Sequence, residues 1–111
     1  MAYNKMLCWV NQKSKAEYIK ITGSQDNIIF TDNYMEFKNN ISIDSYLAIS
    51  LSTAHQNLNE LKTLLKDFPN QKFRVIFDEE RFWCDVIDVF TDADKRCNHY
   101  SIEEIIKDFN H

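Results

Sequence analysis

The chain has 111 residues, of which 44% are hydrophobic, and carries a formal net charge of −4 from 17 acidic and 13 basic side chains. This length and composition predict one folded domain over residues 1–111. The acidic balance excludes a generally basic nucleic-acid binder. The single Gly and the single Pro exclude a glycine-rich phosphate loop and a Pro-rich linker.

Three features predict a cytoplasmic location. No run of 18 apolar residues is present, so we expect no membrane-spanning helix. The first twenty residues lack the continuous apolar segment of a signal peptide. The three cysteines, Cys8, Cys84 and Cys97, are odd in number and irregularly spaced, which favours reduced thiols over a disulfide framework.

The first forty residues predict short strands joined by turns. Polar residues separate β-favouring runs, which indicates hairpins. Gly23 marks the clearest turn, because glycine adopts positive φ at little cost. The expected strands cover residues 5–11, 17–22, 27–31 and 34–38.

Residues 41–52 fit two patterns. Apolar side chains at alternate positions, with serines between them, predict a strand with one solvated face. A second set of apolar residues recurs at helical spacing. We favour the strand, because serine is a mediocre helix former.

Helix signals are stronger after residue 52. Thr53 and Gln56 have the spacing of a capping box, and Pro69 predicts that this helix ends at Phe68. We therefore expect a helix over 53–68. Strands over 73–77 and 82–90 are expected to follow and to pair with each other.

The last element is a helix over 101–110. Ser101 and Glu104 form a capping box, and a buried stripe follows at Ile102, Ile105, Ile106 and Phe109. Strands precede helices with no regular alternation. The predicted fold is therefore α+β, with a mainly antiparallel sheet of five to seven strands and two helices, 53–68 and 101–110, packed on it.

Tests for chemistry predict no enzyme, no cofactor and no metal. Cys97 and His99 are too close in sequence for the usual zinc spacings, and neither Cys84 nor His111 supplies a second pair. If Cys97 were a nucleophile with His99 as its base, a third group would have to orient the histidine, and none is recognisable. The single Gly excludes the nucleophile elbow and the Walker loop.

The least ordinary feature is an acidic segment over residues 78–94. It holds seven acidic side chains and one basic one, Arg81, for a net charge of −6. A solvated turn and strand face would explain it, since acids keep surfaces soluble. A surface that meets a basic partner would also explain it, because clustered carboxylates raise association rates with cations. The predicted partner-binding residues are Asp78, Glu79, Glu80, Trp83, Asp85, Asp88, Asp92 and Asp94.

A short, acidic, Asn/Ile/Lys-rich, single-domain chain without catalytic motifs resembles the bacterial immunity proteins of contact-dependent-inhibition and polymorphic-toxin systems. The resemblance covers the whole chain as a profile and involves no signature motif. It implies a monomer that binds a cognate toxin domain one to one in the cytoplasm, without direct contact to nucleic acid or membrane. The toxin would be basic, as nucleases are.

Two other classes remain as alternatives. A phage or mobile-element antagonist would mimic nucleic acid to block a host nuclease, but the near-neutral first forty residues argue against full mimicry. A small ligand-binding or enzymatic domain would show an apolar pocket with convergent polar groups.

Overall fold

The computed structural model describes residues 3–23, 25–78, 85–86, 88–89 and 97–110, with the backbone alone for 97–100. In this part of the chain, strands and helices alternate over most of the sequence. The strands are β1 (Lys5–Trp9), β2 (Ile28–Thr31), β3 (Ser45–Ser50), β4 (Phe73–Ile76) and β5 (Cys97–Tyr100).

The five strands form one sheet in the order β2-β1-β3-β4-β5, and all four neighbouring pairs are parallel. The predicted, mainly antiparallel sheet is therefore wrong. Parallel neighbours cannot be joined by a tight hairpin, because the chain must return along the sheet before the next strand begins. Helices make those returns.

The helices with defined ends lie between the strands and after the last one. Residues 85–86 and 88–89 are also helical. The defined helices are α1 (Gln12–Thr22), α2 (Tyr34–Asn39), α3 (Leu51–Gln56), α4 (Leu58–Asp67) and α5 (Ile102–Asn110). The prediction of two helices is therefore wrong in number, although helices do occupy both predicted ranges.

Helix α1 replaces the strand that was expected over 17–22. The side chain of Asn11 caps it by accepting a hydrogen bond of 2.7 Å from the backbone N–H of Ser14. Gly23 ends it with φ +75° and donates its N–H to the carbonyl of Ile19. The only glycine is thus a helix C-cap and not a hairpin turn.

Helix α2 replaces the strand expected over 34–38. Asn33 accepts a hydrogen bond of 2.9 Å from the N–H of Glu36, so the helix starts with an ordinary Asn cap. Its single fully buried residue, Phe37, packs on the sheet. Six residues with one buried side chain give too little periodicity to be distinguished from a strand.

Residues 45–50 form strand β3, so the predicted strand is confirmed there and the helical alternative is wrong. The predicted solvated face is wrong. All six of its residues are buried, and Ser45 and Ser50 are 3% and 0% exposed. A strand in the middle of a parallel sheet is covered on both faces. Helix α3 then begins at Leu51, where Ser50, and not Thr53, provides the cap.

Two apolar layers hold the sheet between helices. On one face, alternate residues of β1, β3 and β4 pack against α2, α3 and α4, and Val86 joins this layer. On the other face, the intervening residues pack against α1 and α5. The predicted stripe of α5 is confirmed, with Ile102, Ile105 and Phe109 buried and Ile106 partly buried.

The predicted strand over 82–90 is wrong where the structure describes it, because residues 85–86 and 88–89 are helical. The rest of that range lies outside the described residues. Residues 97–100, where no strand was predicted, form β5 at the edge of the sheet next to β4. Every helix in the described ranges is too short or too polar to cross a membrane.

The capping box of α5 supplies the first test. Ser101 accepts a hydrogen bond of 3.2 Å from the N–H of Glu104, and Glu104 accepts one of 3.1 Å from the N–H of Ser101. We expect Ser101→Ala to lower the free energy of unfolding in urea by about 1 kcal/mol. Lys107→Ala in the same helix should stay within about 0.5 kcal/mol. Equal effects of the two changes would contradict the cap.

Candidate functional site

The parallel sheet brings the carboxyl ends of all five strands to one side, which we call the C-terminal end of the sheet. From β1 the chain continues to β2 on one side, whereas β3 lies on the other side of β1. The chain segments after β1 and β3 therefore diverge and leave a crevice between them. In open parallel sheets, ligands bind at this point.

A chain of hydrogen bonds spans this crevice. The side-chain amide of Asn11, after β1, donates to Ser52 Oγ at 2.9 Å. Ser52 Oγ donates to Asp78 Oδ2 at 2.7 Å, and Ser52 N donates to Asp78 Oδ1 at 3.0 Å. These bonds join the loops that follow β1, β3 and β4. Both oxygens of Asp78 thus accept bonds within the protein, which gives this carboxylate a positioning role.

Beside these bonds lies an open groove of about 440 Å³ between the first turns of α1 and α5, here called the α1–α5 groove. Ile76 and Tyr18 contribute apolar surface to it, and polar side chains from the segments that follow β1, β3, β4 and β5 line its mouth. Its lining residues include Asn11, Lys13, Ser14, Glu17, Ser52, Asp78, Ser101 and Glu103.

Acidic side chains dominate the charge at this groove. Glu17, Asp78 and Glu103 line it, and Lys13 is its one basic lining residue in the described part of the chain. A second groove of about 280 Å³, on the other side of Asn11, adds Asp32. We call Glu17, Asp32, Asp78 and Glu103 the acidic rim. Its charge favours cationic groups.

Charged side chains at the ends of the helices add to the charge at the two ends of the sheet. Because each crossover helix runs opposite to the strands, its N-terminus lies toward the C-terminal end of the sheet. The first turns carry Glu36, Glu60, Glu103 and Glu104, and the last turns of α1, α2, α4 and α5 carry Lys20, Lys38, Lys66 and Lys107. Each sign suits the helix dipole. Parallel packing places these acids toward one end of the sheet and these lysines toward the other, although Lys13 in the first turn of α1 and Asp67 and Asp108 in the last turns of α4 and α5 have the opposite signs.

Tyr18 supplies a hydroxyl group at the α1–α5 groove. Burial raises the pKa of this phenol well above its usual range, and the nearby carboxylate of Asp78 raises it further, while a hydrogen bond with Ser14 acts in the opposite direction. The phenol therefore stays protonated at neutral pH and offers a neutral hydrogen-bonding group beside the acids.

The structure separates the predicted partner-binding residues. Asp78 lies in the α1–α5 groove, whereas Asp85 lies against α3, with its Oδ2 3.3 Å from His55 Nδ1. Asp88 is exposed. The other predicted residues, Glu79, Glu80, Trp83, Asp92 and Asp94, lie outside the described residues.

Sequence reasoning missed Asn11, Ser52, Glu17 and Glu103. A polar residue directly after a buried strand was the available signal for Asn11 and Ser52, but it depends on recognising parallel strands. Glu17 and Glu103 are 86 positions apart in the sequence. Only the packing of α1 and α5 on the same face brings them to one groove.

The cysteines show no arrangement for metal binding where the structure describes them. Cys8 is a free, fully buried thiol on β1, and burial raises its pKa. Within the described ranges, no group of three or more His, Cys, Asp or Glu residues is placed to hold a metal ion. Cys84 and His111, and the side chains of Cys97 and His99, lie outside the described structure.

No protein-family model, no curated protein and no solved structure matches this chain.

The hydrogen bonds of Asp78 give a second test. We expect Asp78→Asn to lower the free energy of unfolding by about 1–2 kcal/mol, because an amide cannot accept on both sides the bonds that Ser52 donates. In a double-mutant cycle, Asp78→Asn and Ser52→Ala should couple by at least about 0.5 kcal/mol. Asp32→Asn, on the same rim, should be nearly neutral. Additive effects of the Asp78 and Ser52 changes would contradict the contact.

Proposed function

We propose that this protein is an immunity protein that neutralises a basic toxin domain by direct binding at the C-terminal end of its sheet. The observation that carries the proposal is the acidic rim, which surrounds two grooves at the crevice between the loops after β1 and β3. The acids that we now assign to the interface differ from the sequence-based set, with Asp78 common to both.

The rim acids are available to a partner to different degrees. Glu17, Asp32 and Glu103 are exposed, and they extend from three different elements. Exposed charges of one sign steer an oppositely charged partner during approach and penalise the wrong ones. Asp78, held by Ser52, keeps a carboxylate in a fixed position between them.

Helix α1 also exposes apolar surface in its last turns, beyond the rim. Tyr18 is the only buried residue among its eleven. Ile19 and Ile21 are 45% and 44% exposed and follow Glu17 along the helix. Protein interfaces commonly combine apolar anchors with a charged surround. The composition of α1 therefore suits contact with another protein.

The charge separation disfavours the nucleic-acid mimic. A mimic needs acidic groups spread over an extended surface, whereas the last helical turns here carry basic side chains at the other end of the sheet. A basic toxin domain requires an acidic surface at only one end of this protein.

The decisive experiment pairs this chain with the toxin domain encoded beside its gene. We expect calorimetry to show a one-to-one complex, and co-expression to restore growth of cells that produce the toxin domain. The absence of a toxin domain in the gene neighbourhood, or a toxin domain that neither binds nor is neutralised, would contradict the proposal.

Removing charge from the rim tests the interface itself. The triple change Glu17→Gln, Asp32→Asn and Glu103→Gln should slow association with that toxin domain by about tenfold at low ionic strength, because steering scales with charge at the approaching surface. The difference should shrink near 0.15 M salt, where the Debye length is about 8 Å. Stopped-flow fluorescence measures both rates.

The matched control removes the same charge elsewhere. Asp26→Asn, Asp44→Asn and Asp67→Asn change the net charge equally but lie at the opposite end of the sheet from the acidic rim. This variant should associate at nearly the unchanged rate. Equal slowing by the two triple variants would show that net charge alone acts, and would contradict binding at the rim.

A small-ligand domain is the second candidate, and the position of the α1–α5 groove favours it. Its volume of about 440 Å³ lies within the range of about 300–1,000 Å³ that small-molecule sites occupy. Its openness and its acidic lining restrict the ligand class to cationic molecules. Saturable binding of spermidine at this groove, without affinity for a toxin domain, would favour this candidate.

A further inference from the structure

The opposite, N-terminal end of the sheet holds a buried cation that the fold only partly satisfies. Arg74 on β4 is 5% exposed. Its guanidinium lies over the ring of Tyr46, 3.6 Å from the centroid, and Nη2 donates to the hydroxyl of Tyr3 at 3.1 Å. Stacking on an aromatic ring stabilises the charge but satisfies none of its N–H groups.

The ion pair of Arg74 with Asp108 is long. Nε lies 3.5 Å from Asp108 Oδ2, whereas the hydroxyl of Tyr46 reaches the same oxygen at 2.6 Å. Nε has no hydrogen-bond partner in the described structure. A guanidinium carries five N–H donors, and the one bond to Tyr3 accounts for one of them. Because buried N–H donors usually have a hydrogen-bond acceptor, the guanidinium of Arg74 has capacity for further hydrogen bonds.

Arg74 also lines an open groove of about 510 Å³, here called the N-terminal groove. Lys72 adds a second basic residue to its lining, and the Asp67 carboxylate in the lining pairs with Lys38 at 3.1 Å. Phe68, Pro69 and Ile43 provide apolar surface, and Ile43 is 85% exposed. The groove thus combines a buried cation with an apolar wall.

From this geometry we infer that the N-terminal groove binds a monocarboxylate with an apolar body, the carboxylate on Arg74 and the body against Ile43, Phe68 and Pro69. A carboxylate can accept the guanidinium N–H groups that neither Tyr3 nor Asp108 engages. A single negative charge fits better than the double charge of phosphate, because Asp67 and Asp108 already lie nearby. This site is separate from the acidic rim and does not depend on the immunity proposal.

The test uses 4-phenylbutyrate as the probe, followed by amide NMR titration of the isotope-labelled chain. We expect saturable shifts at Ser45, Gln71 and Lys72, and at least tenfold weaker binding of the neutral analogue 4-phenylbutanamide. Equal affinity of the two probes would overturn the role of the charge. Inorganic phosphate binding as tightly as 4-phenylbutyrate would overturn the assignment to apolar monocarboxylates.

Variants separate the two halves of the site. Arg74→Gln should weaken the binding of 4-phenylbutyrate by about 10-fold or more, since hydrogen bonds to charged groups contribute at that level. Ile43→Ser should weaken the binding of 4-phenylbutyrate. It should leave the weaker binding of acetate unchanged, because acetate lacks the extended apolar body. Because Ile43 is almost fully exposed, this variant tests the site even if Arg74→Gln does not fold.

Lys20→Gln serves as the matched control, because it removes a cation from the last turn of α1 outside the groove. It should leave the affinity for 4-phenylbutyrate unchanged. Loss of affinity in this control equal to that in Arg74→Gln, or unchanged affinity in both Arg74→Gln and Ile43→Ser, would overturn the site.

Discussion

Strand β3 is buried on both faces and pairs in parallel with β1 and β4, and this arrangement determines where everything else lies. Parallel pairing requires a crossover between neighbouring strands. In the described part of the chain, the crossovers are helices that cover both faces of the sheet. As a result, the strand ends and the helix N-termini share one end of the molecule. The crevice at that end follows from the topology, and the acids placed there by the sequence make its rim acidic.

The two ends of the sheet use charge in different ways. At the C-terminal end, the acids of the rim are mostly exposed, and Asp78 is held by Ser52. At the N-terminal end, Arg74 is buried on Tyr46 and contacts Asp108 on the last helix. Exposed charges act over distance and are screened by salt. A buried charge interacts mainly with groups that come into direct contact with it. The first end thus suits a macromolecular partner, and the second suits a small anion.

Local signals predicted the last helix and one helix end correctly, but they failed at 17–22 and 34–38, which are helical, and at the cap of α3. The capping box of Ser101 and Glu104, the stripe of α5 and the end of α4 before Pro69 are all present in the structure. The parallel arrangement was missed, because the serines between apolar residues at 41–52 indicated a solvated face, whereas all six residues of β3 are buried. Helix α1 was missed as well. With one buried residue it has almost no apolar periodicity, so the cap at Asn11 and the glycine after Thr22 were its only signals. The groove depended on that helix and was missed with it.

Mapping the partner onto the labelled chain tests the central claim most directly. In a two-dimensional amide NMR spectrum of this protein with the neighbouring toxin domain, we expect the largest changes at the loops after the strands, for example at Asn11, Ser52 and Glu103. The amides at the start of the strands, such as Asn4 and Asp44, should remain in place. Changes concentrated at that opposite end would contradict the assignment of the interface to the acidic rim.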